Sequence, residues 1–208
     1  MKKTGLFIFM ISCALTVGAQ DITLPEPLKT GGKPLMDCLN ERKTIREFDA
    51  ERPFDNQTLA NLLWAAWGYN RAEKRTAPSS RNKQEIDIYV AMKSGLYLWD
   101  AKENVLKLSV NGDLRAATAL QPGVADASAV LIYVSNTDKI EGKNHEELIA
   151  ATYANAGFIA QNVYLFCASE NLGSVIRAMV DRPKLSETMS LTGDQMILLV
   201  QSVGFPAN

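Results

Sequence analysis

Residues 145–173 read "HEELIAATYANAGFIAQNVYLFCASENLG". From Leu148 to Ser169 there is no charged side chain. A stretch of that length is long enough to raise the question of a membrane span. Thr152, Asn155, Gln161, Asn162 and Ser169 argue against lipid. The segment therefore reads as one long helix of a globular domain, buried nearly all round. Gly173 is placed to stop it from the C′ position. A chain this short has too little other structure to cover such a helix. A second copy of the chain is the simplest cover.

Working outward, "SAVLIYVS" at 128–135 is almost wholly apolar, as in a strand buried on both faces. Downstream, "SVIRAMV" reads as a strand, Pro183 to Met189 as a short helix, and "QMILLVQSV" as a final buried strand. Upstream, Leu96–Trp99 and Val105–Val110 form two strands joined by polar residues, followed by a short helix near Asp113–Leu120. Ile86, Ile88 and Val90 alternate with Asp87, Tyr89 and Ala91 as a further strand. Two helices come first. One runs from about Pro34 to Arg42 with Leu35, Cys38 and Leu39 on a face. The other is capped by Asp55 or Asn56 and ended by Gly68. Helices followed by strands mixed with helices predict an α+β or three-layer α/β domain.

Lys2 and Lys3, the apolar run Leu6–Val17 and the small residues Val17-Gly18-Ala19 form an export signal, with cleavage expected before Gln20. Residues 20–32 carry Pro25, Pro27, Gly31 and Gly32 and read as a linker to a domain over 33–208. Loss of Lys2 and Lys3 leaves 20 basic and 23 acidic residues, a charge of −3 that excludes nucleic acid as a charge-driven partner. Export leaves Cys38 and Cys167 open to pairing, and their apolar helical settings suit two buried free thiols equally well. No metal-ligand spacing occurs, and the single histidine, His145, sits at a polar helix start. That excludes a Ser–His–Asp triad. Neither GxGxxG nor a Walker A sequence is present.

"ERKTIREF" at 41–48 sets Arg42, Lys43, Thr44 and Arg46 just beyond a helix end. Helix-end cations complement the macrodipole, which accounts for Arg42 and Lys43. Arg46 and the hydroxyl are left unexplained by that, and two arginines with a threonine suit a phosphate with a polar chain attached. "RTAPSSRNKQEIDIYVA" at 75–91 crowds short donors and acceptors into the loop before a strand.

"RKTIREF", "RTAPSSRNKQEIDIYVA", "GLYLWD", "QPGVADASAVLIYV" and "YANAGFIAQNVYLFCASENLGSVI" follow one another in the order found in the FMN-dependent nitroreductase superfamily. The chain resembles that family over residues 35–205, most closely its branch of azoline (thiazoline/oxazoline) dehydrogenases. The resemblance implies a nitroreductase-like fold: three layers, a central mixed, mainly antiparallel sheet and a long buried helix. It implies an FMN oxidoreductase working in two half-reactions, with small molecules as electron donor and acceptor, and a homodimer with flavin at its interface. With the signal, that protein would be periplasmic.

By the same resemblance, Arg42, Lys43, Thr44 and Arg46 match the family's Arg-Arg-Ser-x-Arg segment, which holds the ribityl phosphate and the pyrimidine edge. Pro78, Ser79, Ser80 and Asn82 match a loop that reaches the partner's flavin. Gln121 matches a residue near the pyrimidine oxygens, and Ala178 and Met179 the backbone beside flavin N5. Lys43 and Thr44 depart mildly from that segment, Arg177 beside Ala178 is not explained by the pattern, and no basic residue follows the final strand where many relatives place one. The alternatives are a dehydrogenase of a small molecule or peptide azoline ring, and a flavin-binding dimer without turnover.

Overall fold

A computed structural model describes residues 19–140 and 144–207. The expected export signal falls almost entirely on residues 1–18, outside the described residues. The core is a seven-stranded sheet in the order β1-β6-β5-β4-β7-β9-β8. The strands are β1 (Ile22–Thr23), β4 (Ile86–Met92), β5 (Gly95–Asp100), β6 (Val105–Asn111), β7 (Ala129–Asn136), β8 (Gly173–Arg177) and β9 (Gln195–Gly204). All neighbouring pairs run antiparallel. A small hairpin of β2 (Tyr69–Arg71) and β3 (Lys74–Arg75) stands apart. The helices are α1 (Leu35–Glu41), α2 (Asn56–Trp67), α3 (His145–Ser169) and α4 (Arg182–Thr188).

The sheet separates two cores, because strand side chains alternate between faces. On one face Ile88, Val90, Leu131, Tyr133 and Leu198 meet α2 and α3. On the other, Tyr89, Ala91, Ile132, Val134 and Val200 meet Leu185 and Met189 of the α4 region. β7 is central and buried on both faces, as its unbroken apolar sequence predicts. β4 is buried on both faces too, although its sequence alternates.

The polar residues of α3 hold it to its neighbours. Asn155 donates to Glu85 Oε1 at 2.6 Å. Asn162 donates to the Ala65 carbonyl of α2 at 3.1 Å. Gln201 of β9 donates to the Ala160 carbonyl at 3.2 Å and to Ser174 Oγ at 2.8 Å. These bonds fix the rotation of a helix whose apolar content alone would not. No helix among the described residues is long and apolar enough to cross a membrane.

The structure corrects several expectations. α3 is not buried all round: Ala150, Tyr153, Ala154, Gly157, Phe158 and Gln161 form an exposed stripe at helical spacing. One sheet face and two helices cannot surround a helix. Its stop is Asn171, not Gly173. Asn171 takes φ +56° while the Leu172 N–H bonds to the Cys167 carbonyl at 2.8 Å, closing a Schellman turn.

Of the expected α1 face only Cys38 is buried, and Leu35 and Leu39 are exposed. Seven residues give too short a helix to present a full stripe. Residues 20–32 are strapped to the body instead of free. Ile22 pairs with Leu106, and Asn104 Nδ2 donates to the Pro25 carbonyl at 2.8 Å. The helix expected near Asp113–Leu120 is only a 3-10 turn at Arg115–Ala117. Strand β8 ends at Arg177, so Ala178–Val180 lie beyond it. Cys38 and Cys167 are buried and unpaired. Burial pushes the Cys167 thiol well up, away from the reactive thiolate.

Candidate functional site

The segment from Arg42 to Phe48 leaves α1 and runs beside β8, with the Ile45 N–H donating to the Ser174 carbonyl at 3.0 Å. Gly173 permits this approach. A Cβ there would stand 2.9 Å from Ile45 Cγ2 and 3.2 Å from Phe48 Cε1. Gly173→Ala should therefore push the segment off the sheet, costing about 1–3 kcal/mol in a denaturant midpoint measurement.

Tyr164 of α3 connects the pieces, and the sequence offered no sign of it beyond its place in an apolar run. Its hydroxyl accepts from the Ile176 N–H at 2.9 Å and lies 3.4 Å from Thr44 Oγ1. The Arg42 guanidinium stands 5.4 Å from its ring centroid. Arg42 is half-buried, whereas Lys43, Thr44 and Arg46 are exposed. Lys43 lines a cavity of about 590 Å³ with Tyr164, Ile45 and Asn40.

Arg46 lines a second cavity, of about 480 Å³, with Gln121, Gly123, Asp126 and Arg177. Ala178 and Met179 adjoin this region, because the Leu120 N–H donates to the Met179 carbonyl at 2.9 Å. Two of the lining residues each carry a buried polar atom with no hydrogen-bond partner: Gln121 Oε1, an acceptor, and Arg177 Nη2, a donor. Such atoms are costly unless something outside the chain completes them. A ligand edge that alternates acceptor and donor would do so. The pyrimidine edge of a flavin, O2, N3–H and O4, has that pattern, so the residues lining this cavity would fit a flavin.

Pro78, Ser79, Ser80 and Asn82 lie elsewhere. Pro78, Ser79 and Asn82 line a separate cavity with Arg71 and Arg75, and Ser80 sits between them in the chain. Gln121 and Asp126 lead into β7 at Ala129, whereas the loop meets the opposite end, where the Asn136 N–H donates to the Glu85 carbonyl at 2.8 Å. Eight residues of strand separate the two ends by roughly 25 Å.

The loop's polar groups mostly close the loop itself. Ser79 Oγ accepts from the Gln84 N–H at 3.0 Å. Asn82 and Gln84 both donate to the Glu73 carbonyl. Arg75 donates to Gln84 Oε1 at 2.9 Å and to the Trp67 carbonyl at 2.9 Å. Arg81, Asn82 and Gln84 all take positive φ, and these bonds hold that strained backbone. His145 is exposed at the start of α3, as expected.

Comparison with known proteins gives the same fold and extends it to kinship. The model of the nitroreductase family matches residues 39–205. A provisionally named nitroreductase of Methanocaldococcus jannaschii is 28% identical over 152 residues, covering 68% of this chain and 76% of that protein. A crystal structure of a provisionally named nitroreductase from Ralstonia eutropha superposes with TM-score 0.86 at 40% identity, covering 94% of this chain and 93% of the other. The NADPH:FMN oxidoreductase of Vibrio harveyi, solved with NAD+, shares the fold alone, with TM-score 0.64 at 19% identity over 84% of this chain and 69% of that one. With the family model spanning most of the chain and the Ralstonia structure matching nearly end to end, this protein belongs to the nitroreductase family.

Proposed function

We propose that the protein is an exported, homodimeric FMN-dependent oxidoreductase. The observation that carries this reading is the cavity wall of Arg46, Gln121 and Arg177, whose unpartnered donor and acceptor complement a flavin's pyrimidine edge. Bound flavin would supply two-electron chemistry, accepting a hydride from a donor and passing it to an acceptor. The chain supplies position and electrostatics. Arg42 and Thr44 would hold the phosphate, Arg46 and Gln121 would hold the ring edge, and the backbone at Ala178–Met179 would lie on the N5 side. No side-chain acid or base is required for that role.

Geometry and exposure together support the dimer. The Pro78–Asn82 loop and the Arg46 cavity lie at opposite ends of β7, so one copy does not close its own site. The reading sets a two-fold axis over the apolar stripe of α3, with the loop of one copy completing the cavity of the other. Small side chains at Ser79 and Ser80 then allow close backbone approach and exclusion of water.

The test is a spectrum. Protein equilibrated with excess FMN and passed over gel filtration should be yellow, with one flavin per chain. Colourless protein that also leaves FMN fluorescence unquenched would remove the reading. Export is tested separately, by N-terminal sequencing of protein from fractionated cells, where Gln20 is the expected first residue.

A further inference from the structure

We propose that Arg177 is a cofactor-binding residue that sets the flavin's reduction potential: it places a second cation beside Arg46 at the pyrimidine edge and favours the reduced, negatively charged form. This rests on the flavin reading above.

Arg177 is an unusual residue for its position. It sits at the end of β8 and is 5% exposed. Its Nε donates to Ser202 Oγ at 3.3 Å, which fixes the plane of the guanidinium. Its Nη2 is buried without a partner. Glu47 and Asp126 line the same cavity, yet among the described residues no carboxylate forms an ion pair with Arg177.

Burial, and then the charge of Arg46, both press its pKa below the ordinary arginine value. The fold thus holds a desolvated cation near another cation, an arrangement that costs stability unless an anion arrives. The flavin reading seats the phosphate at Arg42 and Thr44, which are grouped around Tyr164 rather than in this cavity, and leaves Arg177 to the ring.

A flavin supplies the missing charge when it is reduced. A hydride adds two electrons and one proton at N5, and the negative charge rests on N1 and the C2 carbonyl. Cations fixed at that edge act more strongly on the reduced form than on the neutral oxidised form. A difference in affinity between the two forms is a difference in potential, about 30 mV per tenfold for a two-electron couple.

The experiment is a spectroelectrochemical titration of FMN-loaded wild type, Arg177→Met and Arg177→Lys, with the affinity for oxidised FMN measured alongside. In Arg177→Met, reduced FMN should lose at least tenfold more affinity than oxidised FMN, lowering the potential by about 30 mV or more. Arg177→Lys should recover part of that loss. In wild type the bound reduced flavin should stay deprotonated at N1 to lower pH than free reduced FMN, read from its near-ultraviolet spectrum.

Equal loss for both redox forms in Arg177→Met would leave Arg177 a purely structural role and overturn the inference, as would an unchanged potential. If Arg177→Met fails to fold by circular dichroism, the wild-type pH titration decides, and a reduced flavin that titrates like the free one overturns the inference. Wild type that binds no flavin instead defeats the reading beneath it.

Discussion

Phe158→Glu should leave a folded monomer that no longer holds flavin. Phe158 is 47% exposed on the outer stripe of α3, between Ala154 and Gln161. In a single chain a carboxylate there faces water, so the stability of the fold should change by no more than about 0.5 kcal/mol. In a dimer closed over this stripe, each copy would bury an unpaired charge against the other. Such a penalty is several kcal/mol per ion, and two-fold symmetry imposes it twice. That is enough to dissociate most dimers at micromolar concentration. Flavin binding should fail with it, because the Pro78–Asn82 loop would no longer reach a partner's cavity. Sedimentation equilibrium, thermal melting and FMN fluorescence titration on the same sample check the three parts. A variant that stays dimeric shows that the interface lies elsewhere. A monomer that binds FMN as tightly as wild type shows that the loop is not needed.

Arg42→Ala should weaken FMN about ten- to a hundredfold and leave riboflavin nearly untouched. The basis is phosphate recognition by Arg42, whose guanidinium stands over the Tyr164 ring while Thr44 lies beside the Tyr164 hydroxyl. A charge-assisted hydrogen bond contributes about 1.5–3 kcal/mol. The structure adds a competing contribution. Arg42 also stacks on Tyr164, a contact worth about 0.5–1 kcal/mol at a partly exposed site. Loss of that contact disturbs the site for either ligand by the same small factor. The difference between FMN and riboflavin therefore isolates the phosphate. Equal losses for both ligands would move the phosphate away from Arg42. Asn82→Ala is the control, since it should weaken both ligands through the loop rather than the phosphate.

Part of the cavity lining was legible, because Arg46 beyond a helix end has no packing reason to be there. Tyr164 was not legible. An aromatic in an apolar helix has a packing reason, and only the approach of Ile176 and Thr44 reveals its hydroxyl as a bridge. Arg177 was visible as a departure without an explanation. Its meaning depends on Ser202 and Arg46, which come from distant parts of the chain. The loop donors have a local task that their sequence does not reveal, since Ser79, Asn82 and Gln84 are largely engaged in holding three left-handed residues in place.

The sequence by itself determined the elements whose burial has a local period: the capped helix α2, the two-faced strand β7, the final strand β9 and the reach of α3. Periodicity and capping act over neighbouring residues, so a linear reading captures them. Tertiary structure alone decided which face of α3 stays uncovered, that Asn171 rather than Gly173 turns the chain, and that Ile22–Thr23 joins the sheet. It also decided that Arg46, Gln121 and Arg177 share one cavity. Those outcomes depend on pairing between strands far apart in sequence, where β9 lies between β7 and β8. The free energy of that pairing comes from burying both faces of the sheet at once, and no local stretch carries that information.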